Sequence, residues 1–298
     1  MRIGVDLGGT KIEAVVLDEA GVAVRRKRVG TPRDDYPATL QAVAGLVEQL
    51  ETEVHDRCPV GIGMPGTLSP ATGLVKNANS TWLNGRPLAR DLEQRLGRTL
   101  RFANDANCFA LSEAVDGAGR GARVVFGVIL GTGTGGGIVV DGRAWVGPNA
   151  IAGEWGHNPL PWPSDAERPG PECYCGRRGC IETFLSGPGL LRDHLEAGGR
   201  ADSAEAVVAD ARAGDQRARA TLDRHEERTA RALAHVINLL DPDVIVLGGG
   251  LSNLETLHVN VPRRWGAWIF TDRVDTRLLP ALHGDSSGVR GAAWLWPP

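Results

Sequence analysis

Long apolar runs are missing from this sequence. No stretch approaches the roughly 18 apolar residues that a membrane-spanning helix needs, so no bilayer span is expected. The opening MRIGVDLGGTK lacks an apolar core followed by a cleavage site, so it does not read as a secretory signal. Excess charge of one sign is also missing. A formal net charge of −3 leaves no electrostatic footprint for nucleic acid or an anionic membrane surface. Cysteine is scarce: there are five, an odd number, and three of them fall between Cys173 and Cys180. That pattern argues against a disulfide framework and for a metal site in a reducing compartment. Asn79-Ser80-Thr81 matches a glycosylation sequon, which means little without a secretion signal. A cytoplasmic location is expected. What is present is ordinary for a soluble globular protein: 42% hydrophobic and 23% charged residues, over a length comfortable for two domains.

Near the start, β-branched runs alternate with glycine. Ile3–Leu7 reads as a buried strand, Gly8-Gly9-Thr10 as a tight turn, Ile12–Leu17 as a returning strand and Val22–Val29 as a third. The glycines allow backbone N–H groups to approach a phosphate, Thr10 adds a hydroxyl, Lys11 offers charge, and Asp6 could hold a metal ion through water. An ordinary hairpin with a buried aspartate explains these residues equally well. Leu40, Val43, Val47, Leu50 and Val54 place one apolar face on a helix over Tyr36–Val54. Val60–Met64 is a strand ending in the turn Pro65-Gly66-Thr67, and Ala78–Gly85 reads as a loop in which Asn79 could contact a ligand.

Leu100–Ala103 is a short strand running into Asn104-Asp105, with a helix through Val115. Taken alone, Asp105 is better explained as a helix N-cap than as a reactive acid, although open α/β sheets place reactive groups at such junctions. The apolar strand Val124–Leu130 leads into Gly131-Thr132-Gly133-Thr134-Gly135-Gly136-Gly137. Gly131, Gly133 and Gly136 satisfy a dinucleotide fingerprint, but the β-branched run Ile138–Val140 follows where that fold requires a helix. The arrangement is strand, glycine loop, strand, and it repeats the device at Gly8–Thr10.

Cys173-x-Cys175 and Cys180, with His157 upstream, supply a Cys₃His set suited to a closed structural Zn²⁺ site. Glu154 and Glu182 flank it, placed either to accept hydrogen bonds from sugar hydroxyls or to support the ligands. The proline-rich insert Pro159–Pro171 is expected to be a surface excursion. Leu190–Gly214 looks helical with breaks, Arg217–Leu240 reads as the longest helix, and Val244–Leu247 as a buried strand. Gly248-Gly249-Gly250 follows as a turn against which a flat base could lie. Ser286–Trp296 reads as a final helix, with Gly288 and Gly291 permitting close approach.

Asp6-x-Gly8-Gly9-Thr10-Lys11, Asn104-Asp105, Gly131-Thr132-Gly133, Glu154-x-Gly156-His157, the cysteine cluster and Gly248-Gly249-Gly250 occur in that order. The whole chain resembles the ROK family of bacterial sugar kinases and repressors. VKNANSTWLNG (Val75–Gly85), WGHNPLPW (Trp155–Trp162) and HGDSSGVRGAAWLW (His283–Trp296) make it look most like the fructokinase (manno(fructo)kinase) branch. The resemblance implies an α/β, two-lobed actin/hexokinase-like (ribonuclease H-like) fold, with ATP and sugar meeting in a cleft. The lobes would be residues 1–117 plus 285–298, and 118–284. By the same likeness Asp105 is the catalytic base, and Gly66, Asn79, Asn104, Glu154, His157 and Glu182 bind sugar. Asp6, Gly8, Gly9, Thr10, Lys11, Gly131, Thr132 and Gly133 handle Mg²⁺-bound ATP phosphates, and Gly248–Gly250 the adenosine end. His157 would serve both zinc and sugar. Met1 lies so near the first phosphate strand that no DNA-binding helix-turn-helix is expected. The implied activity is phosphorylation of the 6-hydroxyl of D-fructose by ATP, with mannose or glucose as further acceptors. Glucokinase or N-acetylhexosamine kinase is the alternative, and a non-catalytic sugar-sensing regulator the alternative of another class. A homodimer is expected from the family.

Overall fold

The computed structural model describes residues 1–297. Its chain divides into two units, Met1–Ala122 with Gly137–Gly153 and Leu282–Pro298, and Arg123–Gly136 with Glu154–Ala281. The sequence reading assigned Gly137–Gly153 to the second lobe, but the structure groups it with the first. The cause is local: a Cβ on Gly137 would lie 2.4 Å from the Ala106 carbonyl, so this segment is pressed against the residues after Asp105.

In the first unit, β1 (Arg2–Leu7), β2 (Lys11–Leu17) and β3 (Ala23–Gly30) form an antiparallel meander. Helix α1 (Tyr36–Val54) is capped by Asp35, whose side chain accepts from Ala38 N. It buries Val43, Val47 and Leu50, the stripe its periodicity predicts. β4 (Val60–Met64) joins β1 in parallel. The short pair β5 (Thr67–Leu68) and β6 (Val75–Lys76) precedes α2 (Leu88–Leu96), which turns Leu88, Leu92 and Leu96 inward. β7 (Arg101–Asn104) completes the sheet order β3-β2-β1-β4-β7 and leads directly into α3 (Asp105–Val115).

In the second unit, β8 (Val124–Leu130) turns into β9 (Thr134–Val140), and the division between units falls inside β9. β10 (Arg143–Ala144), grouped with the first unit, follows, and the second sheet has the order β10-β9-β8-β11-β12. The helices are α4 (Ile181–Leu185), α5 (Gly187–Glu196), α6 (Ala204–Ala213) and α7 (Gln216–Leu240). β11 (Val244–Gly248) pairs in parallel with β8 on one side and with β12 (Arg277–Pro280) on the other. Helix α8 (Glu255–Trp265) lies between them in sequence, and α7 packs against α4, α5, α6 and α8. Strand β12 and helices α2, α4 and α8 are elements the sequence reading did not single out.

The chain ends in α9 (Ser287–Trp294), which returns to the first unit. Glycines let it approach. A Cβ on Gly4 would sit 2.0 Å from the Val289 carbonyl, and one on Gly61 1.9 Å from that of Ala292. A Cβ on Gly291 would lie 1.6 Å from the Cys108 carbonyl of α3. Backbone therefore meets backbone here, which only glycine allows. The wholly buried Glu113 carboxylate fixes the entry to α9, accepting from Leu282 N (3.0 Å), His283 N (3.2 Å) and Ser287 Oγ (2.7 Å).

Candidate functional site

The β1–β2 hairpin closes with Gly8 N donating to the Lys11 carbonyl at 3.0 Å. Thr31 Oγ1 and Arg33 Nε donate to the carbonyls of Gly8 and Gly9, at 2.7 and 3.1 Å, while Thr10 is exposed at the tip. Asp6 is half-buried on β1, directly across from Glu13, and Lys11 Nζ lies 3.9 Å from Glu13 Oε2. Burial raises the Asp6 carboxyl to about 6, with the charges of Asp105 and Glu13 adding to the effect and Lys11 opposing it. Two acids from β1 and α3 therefore sense each other beside a glycine hairpin.

Asp105 is not the helix cap. Asn104 holds that position, extended at φ −62° and ψ 151°, and its Oδ1 accepts from Ala106 N at 2.8 Å. Its Nδ2 donates to the Gly66 carbonyl at 3.1 Å. Asp105 is thus the exposed first residue of α3, held by a strand on one side and a capped helix on the other. Gly66 is required at its turn, with φ +68° and a Cβ that would fall 2.3 Å from the Lys76 carbonyl. Asn79 is exposed, and Asn84 shapes its loop by bonding both the N–H and the carbonyl of Ala78 at 2.9 Å. A Cβ on Gly9 would meet Ser80 Oγ at 3.3 Å, which brings this loop to the hairpin tip.

In the second unit, Gly131 N donates to the Gly133 carbonyl at 3.0 Å, and Thr132 is exposed at the tip. Glu182, on α4, clasps this hairpin: Oε2 accepts from Thr134 N at 2.9 Å, and a Cβ on Gly133 would lie 2.7 Å from the same oxygen. Gly248 ends β11 beside Ile129 of β8, and Gly249 and Gly250 follow it. Gly249 has φ +83°, and its Cβ would meet the Leu130 carbonyl at 2.4 Å. Glu154 is exposed just before the turn that holds His157.

The four expected metal ligands converge. One donor atom from each of His157, Cys173, Cys175 and Cys180 lies within 4.8 Å of all the others. His157 Nδ1 is 3.5 Å from Cys173 Sγ, and Cys175 Sγ is 3.6 Å from Cys180 Sγ. A tetrahedral Zn²⁺ with Zn–S bonds of about 2.3 Å spaces its ligands at roughly 3.7 Å, so the donors fit that ion. Burial pushes the Cys180 thiol up to about 12, a cost that a cation at this point would reverse. His157 Nε2, the nitrogen expected to face a sugar, is 2.9 Å from the Tyr174 hydroxyl. Partial covering of that hydroxyl, and then the charges of Glu182, Cys173 and Glu154, push it up, although the Tyr174 side chain as a whole is largely exposed. Tyr174 was missed in the sequence, where its place between two ligand cysteines was the available signal.

The insert Pro159–Pro171 is not a simple surface excursion. Leu160 is buried, and Glu167 Oε1 accepts from Arg228 Nε and Arg231 Nη2 on α7, each at 2.8 Å. Trp162 stacks on Trp268 at 5.3 Å between centroids.

The chain is similar to known proteins over nearly its whole length. The family model described as "ROK family" matches residues 2–298. The N-acetyl-D-glucosamine kinase of Photobacterium profundum is 41% identical over 299 residues, covering 99% of each chain. The ROK hexokinase from Thermus thermophilus superposes with a TM-score of 0.87 at 31% identity, over 99% of this chain and 97% of that one. A ROK family glucokinase from Streptomyces griseus, solved with glucose and AMPPNP, gives 0.78 at 30% identity over 98% and 97%.

Proposed function

The chain belongs to the ROK family and has its hexokinase-like α/β fold, and from that premise we propose that it is an ATP-dependent sugar kinase acting on the 6-hydroxyl of N-acetyl-D-glucosamine. The observation that carries the chemistry is Asp105, presented as the first residue of a capped helix and sensed by Asp6 beside the first glycine hairpin. The acceptor reading corrects the D-fructose expected from the sequence. A relative matched over 99% of both chains is named for N-acetyl-D-glucosamine, which favours the N-acetylhexosamine alternative. Acceptor choice turns on the placement of single polar groups, and the branch motifs do not encode that placement.

In this reading Asp105 takes the proton of the 6-hydroxyl as its oxygen attacks the γ-phosphorus of ATP. The bond from that phosphorus to the β,γ-bridging oxygen breaks, ADP leaves, and the proton remains on Asp105. Gly8, Gly9, Thr10 and Lys11 of one hairpin, and Gly131, Thr132 and Gly133 of the other, orient the phosphates. Gly248–Gly250 hold the adenosine end. Asp6 would hold Mg²⁺ through water, and that ion, when bound, neutralises charge on the phosphates. Gly66, Asn79, Asn104, Glu154, His157 and Glu182 are the sugar contacts, with Tyr174 orienting the His157 ring. His157, Cys173, Cys175 and Cys180 would hold Zn²⁺, whose contribution when bound is to fix their loop.

Steady-state assays with ATP and a panel of N-acetyl-D-glucosamine, N-acetylmannosamine, glucose, mannose and fructose test this reading. The expected kcat/KM for N-acetyl-D-glucosamine exceeds that for fructose by about 100-fold or more. A preference for fructose overturns the acceptor, and absence of ATP turnover with every sugar overturns the kinase.

A further inference from the structure

The second unit contains a cavity of about 460 Å³ lined by none of the residues assigned above to ATP, sugar or metal. Five arginines and three carboxylates line it, contributed by the insert, the cysteine loop and helices α5 and α7. Two of the arginines are already neutralised by well-covered partners. Arg224 and Arg228 share Asp193, at 2.6 and 2.8 Å, and Arg228 also bonds Glu167 at 2.8 Å.

The other three are held differently. Arg168 lies 3.5 Å from Asp165, and Arg178 2.7 Å from Glu172. Both of those carboxylates are exposed, so water screens the pairs and they hold weakly. Arg192 reaches Glu196 at only 3.4 Å, and its buried Nε has no hydrogen-bond partner among the described residues. Burial pushes the Arg192 guanidinium down, the charges of Glu196 and Asp193 push it up, and that of Arg228 pushes it down again. Each arginine of the cavity thus has a carboxylate partner, but those of Arg168, Arg178 and Arg192 are exposed and displaceable, which leaves three planar donors suited to bidentate recognition of an anion.

We propose that this cavity binds a phosphate monoester, with its dianionic phosphate held by Arg168, Arg178 and Arg192. Phosphate pairs with guanidinium forks more effectively than the exposed carboxylates now opposite them. The site also connects to the sugar contacts. Arg192 Nη2 donates to the Thr183 carbonyl at 2.6 Å, one residue from Glu182, and Arg178 Nε donates to the Gly170 carbonyl at 3.2 Å. An occupant would thereby stiffen α4 and the cysteine loop. A consequence for acceptor affinity rests on the kinase reading; binding itself does not.

Isothermal titration of the full-length protein with inorganic phosphate and with N-acetylglucosamine 6-phosphate, each with saturating AMPPNP and N-acetyl-D-glucosamine present, tests the proposal. One equivalent of anion should bind, and the double variant Arg168→Glu with Arg178→Gln should weaken that binding at least about tenfold, as expected for lost charge-assisted bonds. The single exposed variant Arg168→Gln, expected to weaken binding about threefold on the same grounds, provides the check if the double variant misfolds. Tighter binding of the ester identifies an ester as the source, and equal binding identifies free phosphate. Binding unchanged in both variants, or no heat with either anion, overturns the proposal. If the protein shows no kinase activity, the titration is repeated without nucleotide and sugar, so the two readings fail separately.

Discussion

Glu167 Oε1 and Arg231 Nη2 lie 2.8 Å apart at a point where both side chains are more than nine-tenths covered. With Arg228 as a second donor, this bond fastens the insert to α7. The guanidinium partners hold the Glu167 carboxyl down to about 2 despite the opposing effect of burial. Because the folded value is depressed, the stabilisation is fully present above about 4.5, the ordinary value, and is lost as pH falls toward about 2. Glu167→Gln should cost about 3–5 kcal/mol at pH 7, since it leaves buried charge without its partner. Urea unfolding at a series of pH values checks both points: the variant should lose the acid-dependent slope below pH 4.5 along with the stability. An unchanged slope would place the acid sensitivity elsewhere.

Asp6 has the opposite sign. Its folded value is raised, so between about 3.8 and about 6 the folded state binds more protons than the unfolded one. Its contribution to stability is therefore greatest at low pH and falls as pH rises through that window. Asp6→Asn should raise the melting temperature at pH 7.5 and flatten the pH dependence between 4 and 6, while abolishing turnover. A lower melting temperature at pH 7.5 would show that the buried charge is fully compensated.

The proposed zinc site at the four converging donors predicts one zinc per chain. Elemental analysis of purified active protein should find it, and strong chelation should lower both the melting temperature and the activity. Cys175→Ser should reproduce the effect. Tyr174→Phe removes the hydroxyl on His157 Nε2 and should leave the metal content intact while raising the acceptor KM several-fold, about 1 kcal/mol of lost orientation. Active protein without zinc would refute the metal assignment.

The close approach of α9 gives a purely structural prediction. Gly291→Ala would drive a methyl group into the Cys108 carbonyl, and no side-chain movement relieves a backbone clash. Calorimetry should show destabilisation above about 3 kcal/mol, the range of severe overpacking. A smaller loss would mean that α3 and α9 separate readily.

Both glycine hairpins were legible in the sequence because a strand, a glycine turn and a β-branched return leave no room for a helix. The cysteine cluster was legible because its spacing constrains a closed loop. Asp105 was not legible alone: its place after Asn104 suits a cap, and in the structure Asn104 takes the cap position, bonding Ala106 and Gly66, while Asp105 Oδ1 shares the Ala106 N–H at 2.8 Å. The anchoring of the insert was hidden because Glu167 and Arg231 are far apart in the chain and each is an ordinary surface residue type. Acceptor identity was hidden for a related reason, since it depends on where single polar atoms fall.

The account stands most directly on the turnover of Asp105→Asn with ATP and N-acetyl-D-glucosamine. The substitution keeps the shape of an exposed helix-start residue, so the melting temperature should stay near that of the parent. Loss of the proton acceptor should cut kcat by about 10²–10⁴-fold with little change in the acceptor KM. A folded Asp105→Asn variant with near-parental kcat would contradict the account.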